Sequence, residues 1–253
     1  MRPLDKNVIM ERLEKIRSRI VLCLLIMGIG FVGSYAFSER ILNFLMRPLT
    51  RVMPPGEKAV FTWLPEAFFC HLKAALAVGL LLALPAVMYA IWSFFAPRHD
   101  MKGKVPSLLV VSLSTLLFIV GASFCYFVVM PFAFKYLIGL APEWVRPLPS
   151  LGEYFGLACW LLFAFGAVFE LPLVMSLLSH IGIVTPAFLR KSRKYAFLLS
   201  FVLAAILTPT PDVFNQLLMA GPLVILYELG ILGARIFVPK KPADLVPAVK
   251  ISG

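Results

Sequence analysis

Charge is what this sequence has least of. Asp, Glu, Lys and Arg make up 15% of its 253 residues, against about 25% in a soluble domain, too little polar surface to dissolve a globule of this size. Acids are scarcer than bases, 13 against 24, for a formal charge of +11. The four cysteines, Cys23, Cys70, Cys125 and Cys159, lie far apart with no CxxC pair. That excludes a disulfide framework and a thiolate metal site, and leaves cysteines that act as small apolar residues. The histidines His71, His99 and His180 are equally scattered. No HExxH, GxSxG or GxxxxGK motif occurs, so the sequence offers no catalytic group, cofactor site or nucleotide site. No small-residue cleavage site closes the first apolar run, as a removable leader would require. Long polar loops are missing too, which leaves no room for a separate catalytic domain. Internal repeats of the kind found in many transporters are not seen.

What is present is apolar sequence, 60% of the residues, with a mean hydropathy of +0.91. It comes in runs near or above the ~18 residues that a helix needs to cross ~30 Å of hydrocarbon. The fold class expected is therefore all-α, a polytopic membrane protein of six transmembrane helices. Residues 5–20 read as an amphipathic surface helix, with Ile9, Leu13, Ile16 and Ile20 at helical spacing and Glu11, Glu14 and Lys15 off that stripe. Span one follows at 20–37. A polar stretch at 38–73 begins amphipathic, with Ile41, Phe44, Leu45 and Leu49 against Arg40, Arg47 and Arg51, and is broken by Pro48 and the Pro54-Pro55-Gly56 turn. A further short helix from about Pro65 runs into span two at 72–95. Span three is expected at 106–134 and span four at 154–179. Span five, 195–208, is short: ~14 residues at ~1.5 Å reach only ~21 Å. Span six covers 214–236.

Lys and Arg gather in the N-terminal segment, the 96–105 connection, the 190–194 loop and the tail after Pro239. That alternation is the positive-inside pattern and places both chain ends in the cytoplasm; the excess of base belongs to the membrane surface and not to nucleic acid. Residues 1–237 form one transmembrane domain and 238–253 a basic cytoplasmic tail.

Two acids lie inside apolar helices. Glu170 stands deep in span four beside Pro172, which frees a backbone carbonyl and kinks the helix. A charge at that depth costs at least ~2.5–3.5 kcal/mol, so the residue calls for a polar contact in a groove, or else a protonated bond to a neighbouring helix. Glu228 is nearer the cytoplasmic end, seven residues before Arg235, and reads equally well as an interfacial acid. A solute transporter using Glu170 as a proton relay is the rival function class, whereas an intramembrane hydrolase lacks a pair of reactive groups at one depth.

Six segments together resemble one family. Tyr89-Ala-Ile-Trp92-Ser-Phe94-Phe-Ala-Pro97 is similar to the YQxWxFxAP segment of TatC proteins, and Phe124-Cys-Tyr126-Phe-Val-Val-Met-Pro131 to their GYFVVFP stretch. Phe163-Ala-Phe-Gly166-Ala-Val-Phe-Glu170-Leu-Pro172 resembles AFGxxFExP, and Thr185-Pro186 with Leu189-Arg190-Lys191 resembles TPxxLRKKRxY. Leu207-Thr208-Pro209-Thr210-Pro211-Asp212 through Gln216 resembles LTPPDxxxQ, with one extra residue at Thr210, and Arg47-Pro48-Leu49 a KPL-type element. The order is collinear over residues 10–237.

The resemblance implies a cup-shaped bundle that receives folded cargo bearing an Arg-Arg signal peptide. It implies single-span TatA- and TatB-like partners, self-association in a multimeric complex, a bacterial inner-membrane location and export driven by the proton gradient. Site residues follow: Glu11, Glu14, Arg17, Arg19, Phe94 and Asp100 for the signal peptide; Glu170, Thr208 and Gln216 for intramembrane or partner contacts; Pro48, Pro172 and Asp212 for structure. No metal or cofactor is implied. The chain departs from the pattern at two acids: the family's N-terminal carboxylate falls on Lys15, and that of the following cytoplasmic loop on or near Gly103. Since guanidinium pairs with carboxylate, Glu11, Glu14 and Asp100 are the substitutes, and an altered signal preference is the alternative.

Overall fold

The computed structural model describes residues 6–53, 59–95, 107–140, 142, 144, 148–208 and 212–237; for 6–13, 15, 16, 92–95 and 107 the description is of backbone alone. Ten α-helices run through them: α1 Lys6–Tyr35, α2 Ser38–Thr50, α3 Glu66–Phe95, α4 Ser107–Phe124, α5 Met130–Gly139, α6 Leu151–Phe169, α7 Leu171–His180, α8 Pro186–Lys191, α9 Arg193–Leu207 and α10 Val213–Phe237. Among the described residues there is no β-sheet, only a single parallel bridge between Val60 and Ser150. Five stretches are long and apolar enough to span a bilayer: Arg17–Tyr35, Glu66–Ile91, Leu108–Gly139, Leu151–His180 and Val213–Ile236. The short α9, with 15 residues, is the further helix, so the six expected spans are present.

Helices in lipid gain little from hydrophobic exclusion and associate where small residues let backbones approach. The contacts follow that rule. A Cβ on Gly79 of α3 would lie 2.8 Å from the Phe31 nitrogen of α1, and one on Gly121 of α4 would lie 2.6 Å from the Phe165 carbonyl of α6. Gly166 faces the Phe118 ring at 2.5 Å by the same measure, and Gly230 of α10 faces Met175 of α7 at 2.6 Å. Three crossings, α1 on α3, α4 on α6 and α7 on α10, thus depend on missing side chains. The largest buried cluster sits between them and includes Leu45, Leu49, Cys70, Met130, Tyr154, Phe155, Leu161 and Met219. Leu22, Leu25, Ile29 and Val32 of α1 remain exposed, as a lipid-facing helix requires.

Proline departs from its expected effect at one position. Pro48 does not break the amphipathic segment; α2 continues through it to Thr50. Its ring removes the N–H that would serve the Phe44 carbonyl, and the Tyr126 hydroxyl donates to that carbonyl instead at 2.6 Å. The Tyr154 hydroxyl donates to the Leu45 carbonyl at 2.5 Å. Tyr126 reaches α2 from Cys125–Val129, a π-turn in which the Met130 N–H bonds to the Cys125 carbonyl five residues back. The wider turn precedes Pro131, whose ring would crowd an ordinary α-turn.

Some boundaries shift as well. Span three runs on to Gly139, and span four starts at Leu151, where Ser150 caps α6 by accepting from the Glu153 N–H. The connection between spans four and five contains a helix not expected from sequence, α8, which Thr185 caps and which ends at Lys191. Before it, α7 ends in a Schellman turn. The Ile183 N–H bonds to the Leu178 carbonyl and the Gly182 N–H to that of Ser179, with Gly182 at φ 79°, a conformation that favours glycine.

Candidate functional site

Glu170 stands where α6 stops and α7 begins. Its backbone is still helical, but Pro172 in the first turn of α7 cannot continue the ladder. The side chain is 7% exposed. One oxygen, Oε2, accepts from the Ser114 hydroxyl at 2.8 Å, and that serine on α4 is fully buried. The other oxygen, Oε1, has no partner among the described residues. Val111 and Phe118, which flank Ser114 on α4, and Leu173, one turn after Glu170, belong to an apolar cluster with Leu84 and Met88 of α3. A carboxyl group is thus held by one donor, with one acceptor left over, beside a break in the helix. Such a group can accept from a water or from an entering polar side chain.

Thr208, Asp212 and Gln216 surround the turn between α9 and α10. The Thr208 hydroxyl, buried, donates to the Ala204 carbonyl. Asp212 accepts from the Asn215 N–H at 3.1 Å, the geometry of a helix N-cap for α10. Gln216 donates from Nε2 to the Phe201 carbonyl at 3.1 Å, tying α10 back to the short α9. Residues 209–211 lie outside the described residues.

At the other end of the molecule, α1 and α3 run antiparallel. Gly30 meets Gly79, and the Arg19 guanidinium lies over the Tyr89 ring at 5.6 Å. Carried five residues further along each helix, that register sets the backbone of residue 14 level with residues 94 and 95. Glu14 and Arg17 are exposed and Arg19 is half-buried. Glu11 and Lys15 lie on α1 and Phe94 on the last turn of α3. Asp100 and Gly103, with the whole 96–106 connection, lie outside the described residues.

One carboxylate escaped sequence reasoning. Glu66, 1% exposed, opens α3 and gathers the outer segments around itself. It accepts from the Ser150 hydroxyl at 2.7 Å, the Gly152 N–H at 2.5 Å, the Thr62 N–H at 2.5 Å and the Thr62 hydroxyl at 2.9 Å, with the Trp63 N–H at 3.4 Å. The bridge between Val60 and Ser150 runs beside it, with the Val60 N–H on the Pro149 carbonyl and the Leu151 N–H on that of Val60. A Cβ on Gly152 would lie 3.0 Å from Oε1, so the glycine allows the approach. The local signal was an acid just before an apolar run, with a threonine four residues earlier; the partners some eighty residues away leave no local trace.

Among the described residues, no group of three or more His, Cys, Asp or Glu side chains is placed to hold a metal ion. The family model described as Sec-independent protein translocase protein (TatC) matches residues 11–222. The chain belongs to the TatC family. A TatC protein of Desulforapulum autotrophicum is 45% identical over 240 residues, covering 95% of this chain and 88% of that one. TatC of Escherichia coli K12 is 36% identical over 239 residues, covering 93% and 91%. A crystal structure of the twin arginine translocase receptor TatC superposes with a TM-score of 0.74 at 33% identity, covering 89% of this chain and 98% of that one.

Membership in the TatC family makes the chain a membrane-embedded subunit of a Sec-independent protein translocase, of a family that is not enzymatic. It also gives the bundle its form, the six-helix cup of the TatC structures. Protein transport, and not solute flux, is therefore the function class of these helices.

Proposed function

We propose that this TatC-family chain receives Arg-Arg signal peptides of folded proteins at the end of the cup where α1 begins and α3 ends. TatA- and TatB-like single-span partners engage the α9–α10 face, several copies assemble together, and the proton gradient drives export. The chain sits in a bacterial inner membrane with both ends in the cytoplasm. One observation carries the reading: the α1–α3 register sets exposed Glu14 at the same height as the backbone of residue 94, so an acid and the aromatic-rich end of α3 lie at one level of the bundle. A guanidinium needs a carboxylate there, and the apolar part of the signal needs a greasy neighbour.

Lys15 and the Gly103 position make this recognition depend on Glu11, Glu14 and Asp100. A residue next to another on a helix points ~100° away, so Glu14 does not reproduce the geometry of an acid at 15. Deeper in the cup, Glu170 offers its unpartnered Oε1 to a passing polar group, and Thr208 and Gln216 mark the face for partner helices.

The test is complementation of a strain lacking its own TatC, scored by export of an Arg-Arg-tagged reporter, together with photo-crosslinking of the signal peptide to 11–19. Export with crosslinks in that segment is the expected result. Export of the reporter with no crosslink there, while a control receptor does crosslink, refutes the recognition surface.

A further inference from the structure

Between α9 and α10, at the end of α9 that follows α8, lies a cleft of about 270 Å³ lined by Arg193, Lys194, Ala196, Phe197, Val224, Tyr227 and Glu228. Its upper part is charged and its floor apolar. Arg193 pairs through Nη2 with Glu228 at 2.7 Å, and both side chains are about half exposed. The Lys194 ammonium lies over the neighbouring Tyr195 ring at 4.9 Å. The Tyr227 hydroxyl is committed to the Leu189 carbonyl at 2.9 Å. With Glu228 balanced by Arg193, Lys194 leaves the cleft one positive charge in excess, and exposed Arg190 and Lys191 on α8 add to the field.

We propose that this cleft binds an anionic phospholipid, its phosphate on Lys194 and the open part of the Arg193 guanidinium, its acyl chain over Phe197 and Val224. Charge complementarity and position select this occupant. Cationic clusters at the membrane-surface end of a spanning helix are the sites that recruit anionic headgroups. α9 is too short for an average bilayer, ~22 Å of helix against ~30 Å of hydrocarbon, so headgroups are drawn inward beside it. A soluble anion would use only the charged residues, whereas a lipid also covers the apolar lining of Phe197 and Val224, on helices that also carry exposed Leu198, Ile225 and Leu229. A bound lipid would cement the least-embedded helix of the bundle to α10.

The experiment is native mass spectrometry of the detergent-solubilised full chain with dioleoylphosphatidylglycerol or dioleoylphosphatidylcholine. Retention of phosphatidylglycerol is expected to exceed that of phosphatidylcholine about fivefold, and to fall toward parity in Lys194→Gln. Glu228→Gln removes the competing carboxylate and is expected to raise retention; if the ion pair served only to hold the helices, the same change would lower it. Arg51→Gln, at the end of α2, is expected to leave retention unchanged. Inorganic phosphate at millimolar concentration is expected not to displace the lipid. Equal retention of the two lipids, displacement by phosphate, a loss with Arg51→Gln as large as with Lys194→Gln, or a loss with Glu228→Gln would each overturn the proposal. Size-exclusion profiles identify any variant that has failed to fold, and Lys194→Met then repeats the charge removal.

Discussion

Tyr126→Phe is the most informative single change, because its effect should depend on a proline in another helix. The Tyr126 hydroxyl serves the carbonyl of Phe44, and that carbonyl lacks its helical donor only because residue 48 is proline. Removing the hydroxyl leaves a carbonyl at the α2–core junction unsatisfied, at about 1–3 kcal/mol. The ring itself stays, stacked on Phe44 at 4.6 Å with planes 7° apart, so packing is preserved. At roughly 2–4 °C per kcal/mol for a chain near this size, the midpoint of thermal unfolding should fall by about 2–12 °C. Pro48→Ala supplies the missing N–H while giving up the packing of a buried ring. In that background, Tyr126→Phe should cost less than half as much, since the alanine N–H can bond the Phe44 carbonyl by itself. Midpoints of the four proteins of the cycle, measured in one detergent by fluorescence-detected size exclusion, give the coupling. Equal losses in both backgrounds would refute the claim that tyrosine substitutes for the proline's lost donor.

Four further outcomes are expected. Glu66→Gln should lower the thermal midpoint more than Tyr126→Phe does, because its amide sets donors against donors that now share one carboxylate; an unchanged midpoint would show the cluster to be dispensable. Gly121→Leu should cost about 1–3 kcal/mol by forcing α4 from α6, with Gly139→Leu, which meets open space, as the control in the same melting assay. Glu170→Ala should lower export severalfold while insertion into membranes, read by alkaline extraction, is unaffected or improved. Lys15→Glu should tighten binding of an Arg-Arg peptide about tenfold in a titration, consistent with charge-assisted pairing worth ~1.5 kcal/mol or more; no gain would mean that Glu11, Glu14 or Asp100 already supplies the carboxylate.

The architecture was legible because a bilayer fixes helix length and forbids exposed backbone. The apolar runs therefore mapped onto α1, α3, α4 with α5, α6 with α7, and α10 almost directly. The short α9 was legible from the same ruler, by falling short of it. Family motifs carried most of the candidate site, namely Phe94, Glu170, Thr208, Asp212 and Gln216. What stayed hidden was any feature whose partner is distant in sequence. Glu66, at the start of α3, is the meeting point of two outer segments. Ser114, a serine in an otherwise apolar stretch of α4, donates to Glu170.

The prolines show why local rules stop short in such a chain. Each of Pro48, Pro131 and Pro172 removes one N–H in a setting where water is scarce, and the sequence marked Pro48 and Pro172 as disturbances but let span three run straight through Pro131. The answers differ. At Pro48 a tyrosine from another helix takes the freed carbonyl; before Pro131 the helix widens by one residue; at Pro172 the helix ends and restarts, with Glu170 in the gap. The first two answers are linked, since the π-turn before Pro131 carries the tyrosine that serves Pro48. The third leaves a half-paired carboxyl in the cup. A sequence that replaced all three prolines with alanine would have straighter helices and lose the break at which Glu170 stands, so the cup's polar interior depends on interruptions that a simple spanning bundle would not contain.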